Sequence, residues 1–286
     1  MPRITASFVP LLTATLLGGC ASTAPLHPSI PSPGYTLAWH DEFDATKLDE
    51  TKWSHYAPGP RRDAENVPEA VMLDGKGHLV ITTSRVDVPD PKNPGATKPE
   101  YHTGMITTRG KYETAYGYFE ARIKFQREVG HWSAFWIQTP TMSNPVGDPA
   151  KAGVEIDIIE YLRNGDYPTK AQHTIHWDVR TPQQKRDFAA PVIPAIAEGF
   201  HTYGCQWTPD ILIFYVDGRE TWRTSKAVPR RAEYMILSLE VGKWAEDIAK
   251  AKLPDSMVVD YVRVYKRERP PGLPELCVQV GHRACV

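Results

Sequence analysis

Long apolar runs are missing from this chain. The apolar stretch Phe8 to Leu17 is too short to cross a membrane as a helix, which takes about 20 residues. An excess of one charge is missing too. With 33 basic against 34 acidic residues and no basic run, nothing recommends a nucleic-acid partner. There is no Gly-rich phosphate loop and no G-x-S-x-G elbow, which removes nucleotide binding and the serine-hydrolase fold. Internal repeats and long helical periodicity are absent, which argues against solenoids and bundles. Cysteine is scarce, four in 286 residues. What is present is a hydrophobic content of 41% with 10% aromatics, ample for a core. That core belongs to one large all-β domain, or to two ordinary ones.

The most informative segment is Glu155-Ile156-Asp157-Ile158-Ile159-Glu160, three carboxylates in six residues spaced by isoleucine. Alternation on a strand puts Glu155 and Asp157 on one face. Glu160 has the wrong parity, and one extra residue at Ile158–Ile159, a β-bulge, would re-aim it onto the same face. Such a row supplies what a retaining glycosidase needs, a nucleophile and an acid/base about 5–5.5 Å apart. A solvated acidic strip on an exposed strand would carry the same letters, so the neighbouring segments decide.

Upstream, Gly130-His131-Trp132-Ser133-Ala134-Phe135-Trp136 has Trp132 and Trp136 on one face with small Ala134 between them. Two tryptophans beside a small residue suit the apolar face of a sugar ring; core packing is the competing explanation. Downstream, Gln172-His173-Thr174-Ile175-His176-Trp177-Asp178 forms a third strand-like run. His173 and His176 fall on opposite faces, which disfavours a metal pair. His176 shares its face with Thr174 and Asp178, as a cleft histidine or a surface one.

With these runs in view, the chain resembles glycoside hydrolase family 16, which includes laminarinases, lichenases, agarases and carrageenases. The resemblance rests on the E-I-D-I-I-E and G-H-W-S-A-F-W runs and on Tyr116-Gly117-Tyr118-Phe119-Glu120-Ala121-Arg122-Ile123-Lys124. It also rests on Trp39-His40-Asp41-Glu42-Phe43, Phe214-Tyr215-Val216-Asp217-Gly218 and Val259-Asp260-Tyr261-Val262-Arg263-Val264-Tyr265. These matches run in family order from about Tyr35 to Lys266. Ile159 stands where many members have Met, and Val154 separates Gly153 from the first acid; neither departure touches the carboxylates. The resemblance implies Glu155 as nucleophile, Asp157 as its helper and Glu160 as acid/base, with Trp132, Trp136 and His176 positioning substrate. Relatives that transglycosylate xyloglucan lack the extra strand residue, which argues against that activity. The resemblance also implies a jelly roll with its cleft on the concave sheet. It further implies a structural calcium away from the cleft, for which Asp260 and Glu42 sit in matching segments. No cofactor is expected for catalysis.

Residues 1–19 look like a lipoprotein signal peptide, with Arg3 as its early charge and Leu17-Gly18-Gly19-Cys20 resembling a bacterial lipobox. Cys20 is then the lipidated residue, and the expected place is the cell envelope, at the outer membrane. An ordinary secretory signal cut nearby is the alternative. Residues 20–33 form a Pro/Ser-rich tether, 34–268 the catalytic domain, and 269–286 a tail. Cys277 and Cys285 can close a small disulfide loop there, leaving Cys205 free and buried; pairing of Cys205 with either remains open. Short strands broken by turns, with a hairpin at Asp217-Gly218, point to a two-sheet β-sandwich. Val86 to Tyr101 reads as a surface loop bordering the cleft, and Trp244 to Lys252 as one short helix.

The expected function is endo-acting, retaining hydrolysis of a β-linked polysaccharide by a monomer. The near-neutral charge tilts the substrate toward β-1,3- or mixed-linkage β-glucan, with agarase- or carrageenase-like galactan hydrolysis as the alternative. A non-catalytic lectin-like module would keep the tryptophans but would not need the three acids.

Overall fold

The computed structural model describes residues 34–164 and 169–267. The expected leader and tether, with Cys20, Cys277 and Cys285, lie outside the described residues. The fold is a nearly all-β sandwich of jelly-roll type. One sheet, in spatial order, runs Lys185–Ala189, Gln172–Trp177, Glu155–Leu162, His131–Gln138, Glu233–Val241 and Thr97–Thr107, all antiparallel. In the facing sheet, Asp255–Arg267 is flanked on one side by Tyr35–Asp41 and Leu79–Pro89. On its other side follow Gly117–Lys124, His201–Trp207, Leu212–Val216 and Arg219–Thr224.

Period-two alternation builds the core between the sheets. In Glu233–Val241, Met235, Leu237 and Leu239 join the main core, while Tyr234 and Ile236 belong to a second, smaller cluster. Phe125 stacks on Tyr161 with ring centroids 4.7 Å apart, bridging the layers. Each fully buried large side chain of this kind stabilises by about 1.5–3 kcal/mol. Cys205 is free and fully buried within this core, and burial raises its thiol pKa. The Asp217-Gly218 hairpin forms as expected between Leu212–Val216 and Arg219–Thr224.

Two local expectations fail. Val86 to Tyr101 is mostly hairpin, with Leu79–Pro89 paired to Thr97–Thr107, and it does not line the cleft. Its outer half is polar because it projects beyond the sandwich and has no core to alternate against. Trp244 to Lys252 is two separate 3-10 turns, Lys243–Ala245 and Ile248–Lys250, with Asp247 capping the second.

Candidate active site

The acidic strand Glu155–Leu162 carries the expected bulge. Against the tryptophan strand, Trp136 pairs with Asp157 and Phe135 with Ile159, so Ile158 has no partner. Against the histidine strand, Asp157 pairs with Thr174 and Glu160 with Gln172, two residues facing one. Ile158 and Ile159 both go fully into the core, and the parity of Glu160 is reversed. Entry to the strand depends on Gly153 at φ +83°, where a Cβ would meet Thr139 Cγ2 at 2.3 Å and Glu233 Oε1 at 2.8 Å.

Glu155, Asp157 and Glu160 line one cleft of about 900 Å³, together with Trp132, Trp136 and His176. All six residues predicted for the site are therefore brought together. The floor opposite Glu160 is small, because Ala134 pairs with both Glu160 and Ser238. The tryptophans are less open than expected, 3% and 7% exposed. Trp136 Nε1 donates to Ser238 Oγ at 3.1 Å. Trp132 packs against Trp244 at 4.3 Å, and the Arg62 guanidinium lies 5.3 Å above the Trp132 ring.

The acids differ in their partners. Glu155 accepts from Gln138 Nε2 at 2.7 Å. Burial raises its pKa, the Gln138 bond lowers it, Glu240 raises it, and Arg61 and Arg62 lower it; the net direction is up. Glu160 accepts from Gln172 Nε2 at 3.0 Å. Burial and then the Glu155 charge push its pKa up to about 7. Asp157, 4% exposed, is raised well above the carboxylate range by burial, then by Glu160 and Glu155. His176 Nε2 lies 3.6 Å from its carboxyl, and Asp157 makes no hydrogen bond to Glu155. Burial, then Arg186, lowers the His176 pKa.

Several cleft residues escaped the sequence. Gln138 shares parity with Trp136, and Gln172 with Thr174 and His176, so alternation could have found them. Arg61, Arg62, Glu240 and Trp244 carried no local signal, because distant loops and strands bring them together. Arg61 makes a two-point contact to Glu240 at 2.8 and 3.1 Å, and Arg62 joins it. Arg180 and Arg186 also line the cleft.

Glu155, Asp157 and His176 place ligand atoms within 4.8 Å of one another, the one such group among the described residues. The expected calcium pair does not fit a cation. Glu42 is held by Arg263 at 2.7 and 2.9 Å, and Asp260 is paired with Arg122. Each carboxylate is already neutralised and satisfied by a guanidinium, leaving no shared oxygen cage.

Fold and cleft together define a β-sandwich whose one acidic strand presents three carboxyl groups to a cleft. Residues 37–267 match the family model described as the β-porphyranase A–D GH16 domain, and the chain belongs to glycoside hydrolase family 16. It is 29% identical over 251 residues to a keratan-sulfate endo-1,4-β-galactosidase of Sphingobacterium multivorum, covering 83% of this chain and 57% of that protein. It is 28% identical to glucan endo-1,3-β-glucosidase A1 of Niallia circulans, covering 85% of this chain and 39% of that one. The chain thus spans about half the length of these curated relatives. Among solved structures, the endo-β-1,3-glucanase of Pyrococcus furiosus superposes with TM-score 0.67 at 29% identity, covering 82% of this chain and 95% of that one. The laminarinase catalytic domain of Thermotoga maritima gives 0.68 at 27%, covering 82% and 99%.

Proposed function

We propose that this protein is an endo-acting retaining hydrolase of β-linked polysaccharide, with β-1,3- or mixed-linkage β-glucan as the leading substrate. The observation that carries the reading is the bulged strand, which turns Glu160 onto the face of Glu155 and Asp157. Glu155, served by Gln138 and facing Arg61 and Arg62, is the anionic nucleophile that attacks the anomeric carbon. Glu160, at about 7, holds a proton to give to the leaving oxygen. Once Glu155 becomes a glycosyl ester its charge is gone. The repulsion that raised Glu160 falls with it, and Glu160 becomes the base that activates water. Asp157 and His176 keep this polar floor ordered.

A second substrate reading, an anionic galactan, is favoured by one observation: Arg61, Arg62, Arg180 and Arg186 all line the cleft beside its acids, and guanidinium groups there can take anionic sugar substituents. The porphyranase family model and the keratan-sulfate relative point the same way. Laminarin, lichenan, agarose, porphyran and keratan sulfate should be assayed side by side for new reducing ends. Cleavage of the glucans alone supports the leading reading, cleavage of the sulfated polymers alone the second, and cleavage of none overturns both.

We also propose attachment through lipidated Cys20 to the outer membrane, supported by the Leu17-Gly18-Gly19-Cys20 run. Cys20→Ser should release active enzyme from the membrane fraction; retention there would refute the anchor.

A further inference from the structure

The bulge that aims Glu160 raises a question of its own. An extra strand residue leaves a carbonyl without a ladder partner, and a buried carbonyl left unmet is destabilising. Ile158 is that residue, and it is wholly buried. Its carbonyl is met by a side chain: His173 Nδ1 lies 2.6 Å from Ile158 O. His173 is itself fully buried, on the strand position facing the bulge between Thr174 and Gln172. Its other nitrogen, Nε2, lies 2.9 Å from Thr221 Oγ1 in the facing sheet.

Thr221 is an extra residue too. Phe214 pairs with Trp222 and Tyr215 with Glu220, so Thr221 is the bulged position of its own hairpin. The imidazole therefore joins a bulge in one sheet to a bulge in the other, across a core where its ring sits 5.1 Å from Phe214. The chemistry fixes the tautomer. A carbonyl only accepts, so Nδ1 carries the proton and Nε2 accepts from the threonine hydroxyl. That hydroxyl also lies 3.2 Å from Phe214 O, so its one proton serves two acceptors. Burial keeps the ring neutral by pushing its pKa down to about 4, which suits this single-donor arrangement.

We infer that His173 is a positioning residue for the acid/base: by holding the Ile158 carbonyl from the facing sheet, it fixes the bulge that turns Glu160 into the cleft. The inference rests on the assignment of Glu160 above. His173 touches neither substrate nor carboxylate, so its loss should impair proton donation and leave nucleophilic attack alone.

The variants are His173→Ala, His173→Asn and His173→Gln, with Glu160→Ala as reference. The Asn amide nitrogen can occupy the place of Nδ1 and keep the bond to Ile158; the Gln amide reaches toward Thr221 and loses it. Each variant is first shown to be folded by its melting transition and β-sheet circular dichroism. The substrates are the polysaccharide identified by the panel and the 2,4-dinitrophenyl glycoside of its disaccharide, whose leaving group needs little protonation.

His173→Ala and His173→Gln should lose about 100-fold in kcat on polysaccharide, the scale of a misplaced catalytic group, with KM little changed. On the aryl glycoside they should stay within about threefold. His173→Asn should recover most of the polysaccharide rate. Independently of any substrate, the Glu160 carboxyl titration followed by carbon NMR should move in the Ala and Gln variants and stay near wild type in Asn. Parallel losses on both substrates, or Gln matching Asn, would overturn the inference while leaving the role of Glu160 intact. A Glu160→Ala enzyme with no leaving-group dependence would instead sink the underlying assignment. If His173→Ala does not fold, the Asn and Gln pair decides alone.

Discussion

Buried and half-buried acids occur on both sheets, and the two sets are treated in opposite ways. In the facing sheet they are matched. Glu42 has the Arg263 fork, Asp260 has Arg122, and Glu120 receives the hydroxyls of Tyr118 and Tyr261. In the cleft, Glu155, Asp157 and Glu160 crowd one strand, and their hydrogen-bond donors are neutral amides. Arg61 and Arg62 nearby are engaged with Glu240. The consequences have opposite signs. Burial raises the Glu42 pKa, but the hydrogen bond and charge of Arg263 outweigh it, so the net shift is down. All three cleft acids are shifted up. Matched acids hold the sandwich together, whereas mismatched ones cost stability, and one of them, Glu160 at about 7, holds a proton ready at neutral pH.

The largest test of this contrast removes cleft acids one at a time. Glu155→Ala should lower turnover by about 10⁴-fold or more, with azide giving a product of inverted configuration. Glu160→Ala should keep attack on activated substrates, and azide should return retained product. Proton NMR of the rescued products reads the stereochemistry; the reverse pattern means the two roles are exchanged. Asp157→Asn should have a smaller effect, about 10- to 100-fold in kcat, because it removes a supporting group rather than a bond-making one.

Stability should respond to pH in opposite senses on the two sheets. The folded pKa of Glu160 lies above its ordinary 4.5, so its contribution is fully present below that value and is lost as pH rises through about 7. Glu160→Gln should therefore stabilise the fold at pH 8, by on the order of 3 kcal/mol at most, and bring little gain at pH 4. Denaturant melts at the two pH values measure it; destabilisation at pH 8 would contradict the mismatch. Glu42 behaves oppositely, since its lowered pKa gives stability above its ordinary value of 4.5 that is lost as pH falls through the depressed one. Arg263→Met should cost about 1–2 kcal/mol at neutral pH after allowance for screening at this part-exposed pair. Activity should be unchanged and the loss smaller in acid, since Glu42 then takes up a proton.

Much of this was legible in the sequence because strands obey parity. The reversed parity of Glu160 demanded a bulge at Ile158–Ile159, and the bulge is there. Parity also set His173 and His176 on opposite faces, one in the core and one in the cleft. What stayed illegible came from across the fold. Arg61 and Arg62 reach Glu240 over 178 positions or more, and no local pattern announces such a pair. The arginine pairing of the two carboxylates expected to hold calcium was illegible for a related reason: Asp260 and Glu42 sit in the matching segments, but the arginines that neutralise them come from other strand positions. Polar composition misled at Val86 to Tyr101, where a hairpin leaves the sandwich and has no core face to show.

The bulge also has a meaning in the genetic text. Losing the single codon for Ile158 would turn Glu-Ile-Asp-Ile-Ile-Glu into strict alternation, with all three acids still facing the cleft. Pairing at both ends of the strand would survive, because Ile158 has no partner to lose. A bulged strand and a straight one are thus neighbours in evolution, one in-frame deletion apart. The deletion would fall hardest on His173, which would keep its place in the core and lose its acceptor there.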